Sequence, residues 1–172
     1  QGTGGTGDET IIGRIMNEDG TPARSTIVTA RPFDFDPLSG DARTQCVSDT
    51  TDADGWYAIT LAASKDQHFT LQATHMEERT GALIFGATLS SPGEAVAVPA
   101  ATLHRTGSIK TILSGSTIPA NGYVYIPGSD LSAYMEDGYA VIEQVPADTI
   151  PSVLYNDRTG KNAPYPMGER VN

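Results

Sequence analysis

The sequence predicts an all-β protein, a β-sandwich followed by a smaller second β-module, and three observations carry that prediction. Residue usage comes first: 20 Thr stand against 9 Leu and 3 Lys in 172 residues, and Thr favours strands where Leu and Lys favour helices. Second, short runs of β-branched and aromatic residues alternate with clusters of Gly, Pro, Asn and Asp, the rhythm of a sandwich. Third, no window holds a sustained 3.6-residue apolar period. A helical bundle is excluded.

The elements follow in order. A first strand is expected over Thr10–Met16, and Asn17-Glu18-Asp19-Gly20 supplies a tight turn, since Asp-Gly suits a two-residue hairpin loop. Ser25–Arg31 is the expected return strand, stopped by Pro32, which has no N–H to give a ladder. Pro37 and Gly40 mark a loop over Phe33–Asp41. Thr44–Asp49 is a strand, and Thr51-Asp52-Ala53-Asp54-Gly55 a turn. Trp56–Leu61 alternates cleanly, with Tyr57, Ile59 and Leu61 on one face and Trp56, Ala58 and Thr60 on the other. Phe69–His75 and Gly81–Leu89 are further strands, and Glu94–Arg105 passes through Pro99 into another. A shorter cycle then places strands at Gly107–Leu113, Gly122–Ile126, Leu131–Met135, Tyr139–Val145 and Ile150–Tyr155. The chain so divides into an N-terminal Gly/Thr tether over 1–8, flexible or donated to a neighbour, a sandwich over 9–105, a β-module over 106–155 and an extended tail over 156–172.

These residues resemble the carboxypeptidase regulatory-like, or transthyretin-like (Ig-like), β-sandwich domain of secreted bacterial proteins. Gly13-Arg14-Ile15 matches the family's opening G-x-V strand, and Gly20-Thr21-Pro22 its G-x-P turn. Val28 falls at the inward valine, and Asp52-Ala53-Asp54-Gly55-Trp56-Tyr57-Ala58-Ile59 gives the closing D-x-x-G-x-[YF]-x-[IL] element. Ser25 and Thr26 replace the usual small pair. The pattern recurs: Gly107-Ser108-Ile109 echoes the opening strand, Gly122–Gly128 the second, and Asp137-Gly138-Tyr139-Ala140-Val141-Ile142 the aspartate–glycine turn. Val145-Pro146-Ala147 stands where the family carries V-P-A-G, with Asp148 in place of the glycine. The resemblance implies two tandem copies of a sandwich unit and is nearly silent on activity, because its motifs are turn and core positions. A second copy of about 50 residues lies near the lower limit for a core of its own, so it should pack on the first or borrow a strand.

Charge and composition narrow the function. The net charge of −10, from 11 basic and 21 acidic residues, opposes a nucleic-acid partner, which needs a basic footprint. No apolar run reaches the roughly 18 to 20 residues of a transmembrane segment. Cys46 stands alone, so an intrachain disulfide and a zinc site built on several thiolates are both excluded. His68 and His75 fall on opposite faces of one continuous strand, His104 stands apart, and no H-x-x-x-H occurs. No G-x-S-x-G or phosphate loop is present, so no catalytic residue and no bound cofactor is expected. The metal candidate is calcium at Asp52 and Asp54, although Trp56 and Ala63 occupy ligand positions of an EF-hand frame; the aspartate–glycine turn accounts for the pair without a metal.

The candidates for interaction are Trp56, Tyr123 and Tyr125, whose rings with polar tips suit sugars or protein surfaces, and Met167 and Val171 in the tail. With Tyr123 and Tyr125 on one side of their strand, Val124 and Ile126 face the core. The resulting expectation is a non-catalytic extracellular structural module of a bacterial cell surface whose partner is itself. Strand addition by Asn156–Asn172 or Glu9–Met16 is the mechanism. The Gly2–Gly7 run resembles the spacer behind the lipid-bearing cysteine of bacterial surface lipoproteins, which implies an export signal in the precursor. The rival expectation is a carbohydrate-binding module, or an accessory domain of a secreted protein, with extracellular polysaccharide as partner.

Overall fold

The computed structural model describes residues 8–38, 46–62, 67–89, 95–113, 122–147, 152–158 and 165–167. Within them the chain is all β, arranged in three sheets. In the first sheet β1 (Asp8–Met16) runs antiparallel to β4 (Trp56–Ala62) and parallel to β7 (Ala95–Ala97) and β8 (Ala101–Thr102). The second sheet has six antiparallel strands in the order β12–β9–β6–β5–β2–β3: Tyr139–Pro146, His104–Ile112, Thr80–Thr88, His68–His75, Ile27–Pro32 and Val47–Thr50. The third orders β11 (Ser132–Tyr134), β10 (Tyr123–Tyr125), β13 (Val153–Asn156) and β14 (Tyr165–Met167).

Two cores lie between these layers. Ile11 and Ile15 of β1 and Tyr57, Ile59 and Leu61 of β4 face Val28, Leu71 and Ala73 of the six-stranded sheet. Gly13 lies between the two isoleucines because a Cβ there would collide with the Tyr57 hydroxyl and Val98. The second core gathers Val124, Ile126, Leu131, Met135, Ala140, Ile142, Val145 and Tyr155 with Leu83 and Phe85. Strand β6 therefore serves both: Ala82 and Ile84 pack into the first core, Leu83 and Phe85 into the second. A strand buried on both faces shows no alternation, and its A-L-I-F run reads accordingly. Strand β9 crosses the expected 105/106 boundary and joins β12 to β6 through Thr80↔Arg105 and Gly81↔His104.

One expected pairing is corrected. The Asn17–Gly20 turn forms, with Gly20 N–H donating to Asn17 O at 2.9 Å and Gly20 at φ 81°, but β2 does not return along β1. Ile15 N–H is already given to Gly55 O at 2.8 Å, so β4 holds that side of β1. Beyond the Met16↔Pro22 bridge the chain crosses to the other layer at Ala23–Thr26, where Ser25 takes φ 57°. Strand β2 then pairs with β3 and β5. The turn is a sandwich corner, and a local turn signal cannot distinguish that from a hairpin.

Candidate functional site

The Asp52–Gly55 turn is built from its own carboxylate. Asp52 Oδ1 accepts from the N–H groups of Asp54 and Trp56, both at 2.9 Å, and Gly55 adopts φ 79°. Trp56 emerges on the outer face of the first sheet, 47% exposed, with the Arg14 guanidinium 5.7 Å from its ring centroid. Arg14, Ile12 and Thr10 stand beside Trp56, Ala58 and Thr60 in register, and Thr10 Oγ1 lies 3.1 Å from Thr60 Oγ1. That gives one sheet face, aromatic at one end and hydroxyl-bearing at the other. Asp54 accepts from Arg14 Nε through its main-chain carbonyl at 2.8 Å.

Tyr123 and Tyr125 sit on the side of β10 opposite Val124 and Ile126, yet they are 3% and 2% exposed. The loop after β2 covers them. Tyr123 donates its hydroxyl proton to Asp36 Oδ2 at 2.5 Å, and Asn156 Nδ2 donates to Tyr123 Oη at 2.9 Å and to Asp36 at 3.2 Å. The Tyr123 ring lies 5.7 Å from Tyr125 and 6.2 Å from Tyr134. Burial first, then the Asp36 and Asp34 charges, push the Tyr125 hydroxyl up to about 12. Burial and the Asp36 hydrogen bond raise Tyr123 further. This pair holds the loop to the third sheet and offers no free stacking face. Its cover lies 87 positions earlier in the chain, which no local pattern records. Beside it Arg31, nearly buried, donates to Gln72 at 2.9 Å and Asp130 at 3.0 Å, tying β2 and β5 to the turn after β10.

The remaining candidates are dispersed. His68 and His75 lie at opposite ends of β5, the first 2.9 Å from Thr88 Oγ1, and His104 contacts Glu18 at 3.2 Å. Cys46 is exposed just before β3. Among the described residues no three His, Cys, Asp or Glu side chains converge as metal ligands, so Asp52 and Asp54 have no third acidic partner there. No described helix is long and apolar enough to cross a membrane. An open cleft of about 680 Å³ lies between the Asn17–Ser25 corner and the tip of the β5–β6 hairpin, with Ile27, His75 and Met76 in its lining. Met167 closes β14, opposite Val153 on β13. Val171 lies outside the described residues.

The sheet margins supply residues that motif reading missed. Asp49 caps two edges at once: Oδ1 accepts from Thr50 N–H and Oδ2 from Ala58 N–H, each at 2.8 Å, across the seam between β3 and β4. Asp52 occupies the next N–H along β4. Strand β12 breaks its edge with a bulge between Glu143 and Val145, where Gln144 takes φ 59°, and β14 has Pro166 at its centre. The opposite margin of the first sheet, Ala95–Ala97, has none of these devices. Its uncharged A-V-A-V run was visible in the sequence, but not that it lies on an edge.

No family model matches the chain, and no curated protein matches it. Among solved structures, the dioxygenase domain of a dioxygenase carbohydrate-binding protein fusion from the cellulolytic bacterium Streptomyces sp. SirexAA-E aligns at 16% identity. It covers 55% of this chain and 62% of that one, with a TM-score of 0.31. A streptococcal ancillary pilin aligns at 11% identity over 96% of this chain and 60% of its own, with a TM-score of 0.34. The chain thus spans less than two thirds of either, and TM-scores this low do not identify a shared topology.

Proposed function

We propose that this protein is a non-catalytic structural module of a bacterial cell surface that associates with further copies of itself through strand addition by its C-terminal segment. One observation carries the reading: β14 joins the third sheet as an edge strand, pairing Val153↔Met167, Leu154↔Pro166 and Tyr155↔Tyr165. A ladder this short has the same donors and acceptors whether the strand comes from its own copy or the next. Main-chain hydrogen bonds supply affinity and alternate side chains select register. A head-to-tail contact that does not close builds a filament. The transthyretin-like reading is supported by a recurrence: Ile15 N–H donates to Gly55 O and Leu113 N–H to Gly138 O, both at 2.8 Å, although the two pairs differ in register, Gly13 facing Tyr57 where Gly107 faces Val145. Negative-stain electron microscopy beside sedimentation tests the proposal. Filaments or large species formed by the full chain are expected to vanish on deletion of residues 160–172; assemblies that survive the deletion overturn it.

A second reading rests on Trp56. It stays exposed on the outer sheet face while Tyr123 and Tyr125 are covered, and one accessible indole on the same face as the Thr10 and Thr60 hydroxyls suits a sugar. Binding to insoluble polysaccharide that disappears in Trp56→Ala supports this reading, and equal retention of both proteins removes it.

A further inference from the structure

We infer that the edge of the first sheet at Ala95–Ala97 on β7, which no described strand covers, is a symmetric contact between two copies of this chain, independent of the C-terminal segment. Natural sheets blunt their edges with charge, proline, bulges or capping side chains. Here Asp49 and Asp52 cap β4, Asp49 also caps β3, Gln144 bulges β12 and Pro166 interrupts β14. Strand β11 ends on Tyr134, which lies under the Arg158 guanidinium. The β7 margin is different. Ala95–Leu103 follows β1 along most of its length, from Thr10↔Ala95 to Met16↔Thr102, and holds no Asp, Glu, Lys or Arg; its one proline, Pro99, stands between β7 and β8, outside the Ala95–Ala97 run. Copies carrying −10 repel one another, which directs self-contact to a surface without charge.

The register is self-complementary. Val98 N–H donates to Ile12 O at 2.9 Å, and successive residues of a strand alternate in direction. Val96 and Val98 therefore turn their main-chain groups to β1, while Ala95 and Ala97 turn theirs outward. Two such edges, antiparallel about a two-fold axis at Val96, pair Ala95 with Ala97 of the second copy and Ala97 with its Ala95. All four outward N–H and C=O groups per pair of residues find partners, and the side chains on the outer face are methyl groups that cannot clash. The Val96 side chains meet on the core side, where each already packs. The two first sheets then run on as one.

Sedimentation velocity of the full chain across a concentration series tests this. A reversible monomer–dimer equilibrium is expected, unchanged by deleting residues 160–172. Ala97→Pro removes one outward N–H while sparing the Val98–Ile12 bond, and is expected to weaken the dimer at least about tenfold with an unaltered thermal midpoint. The register has its own check. Ala95→Glu combined with Ala97→Glu places like charges opposite each other and is expected to yield monomer; Ala95→Lys combined with Ala97→Glu places opposite charges there and is expected to restore the dimer. A monomer at every concentration overturns the inference, as does a dimer that ignores Ala97→Pro. A dimer lost only with residues 160–172 overturns it too and leaves the tail-mediated reading standing.

Discussion

Strands β1–β4 and β9–β12 are the same arrangement in different surroundings. Each is an antiparallel pair whose second strand follows an aspartate–glycine turn, and each opening strand donates an N–H to the turn glycine at 2.8 Å. The first pair forms a layer of its own, with β7 and β8 completing its sheet. The second is spliced onto β6 and extends a sheet that already belongs to the first core. The two pairs share the turn but not the register, Gly13 facing Tyr57 where Gly107 faces Val145, and the neighbours that close the second core are borrowed. The second half of the molecule buries Leu83 and Phe85, residues the first half supplies.

The largest consequence is cooperativity. Leu71 and Ile142, both fully buried, belong to the first and second cores. Truncating either to Ala is expected to cost about 2–5 kcal/mol. Because β6 is packed from both sides, both variants should lower one shared unfolding transition, followed by near-ultraviolet circular dichroism during heating. Two separated transitions, one moved by each variant, would break the comparison by making the halves independent.

The glycines of the paired opening strands sharpen it. A Cβ on Gly13 meets Tyr57 and Val98, whereas one on Gly107 meets nothing within 4 Å. Gly13→Ala should therefore destabilise by about 1–3 kcal/mol through overpacking. Gly107→Ala should be neutral or stabilising by up to about 1 kcal/mol, as restriction of the unfolded chain predicts. Urea midpoints report both, and equal losses would mean that the two positions are not set apart by their packing.

That asymmetry marks how far the sequence could be read. Alternation in Trp56–Leu61 placed Tyr57, Ile59 and Leu61 inward, and all three are buried; period-two patterning and turn chemistry are local, so they survive in one dimension. Most strand segments were legible for the same reason, with ends shifted by a residue or a few, as in β5 and β12, but Glu94–Arg105 divides into β7, β8 and the start of β9, and β14 lies in the segment read as an extended tail. Partnership was not. The Asn17–Gly20 turn has hairpin chemistry but leads across the sandwich, because β4 had taken the side of β1 that β2 needed. Tyr123 and Tyr125 look like surface aromatics until the loop bearing Asp36 closes over them. The capping role of Asp49 needs two strand edges brought together by tertiary structure.

High pH compares the halves through their tyrosines. Burial raises Tyr57 in the first core, and burial with acidic neighbours raises Tyr123 and Tyr125 beside the second. A phenol whose folded value lies above the unfolded 10.0 stabilises fully below pH 10 and loses that contribution as pH climbs toward its folded value, about 12 for Tyr125. Stability should thus be flat below pH 10 and fall steadily from 10 to 12. The Tyr57 hydroxyl is buried without a partner among the described residues, so Tyr57→Phe should flatten the decline at little cost near neutrality. Tyr123→Phe removes the hydrogen bond to Asp36 and should cost stability at both pH values. Identical pH profiles for the two variants would erase this distinction.

The smallest expected effect lies in the turns themselves. Asp52 spends one carboxylate oxygen on two N–H groups, at Asp54 and Trp56. The turn before β12 is held by main-chain bonds between Glu136 and Tyr139, at 2.8 and 3.0 Å, and Asp137 adopts φ 49°. Asp52 stands three residues before its turn glycine and Asp137 one, so the two aspartates hold different places in the two turns. Asp52→Ala should cost about 1 kcal/mol, because its exposed amides turn to water for their lost partner. Asp137→Gly should change stability by no more than about 0.5 kcal/mol, since glycine takes the left-handed conformation without strain and gives up only chain entropy. Measured side by side by urea denaturation, a larger loss at Asp137 would show that its side chain carries a bond as Asp52 does, from a different place in the turn.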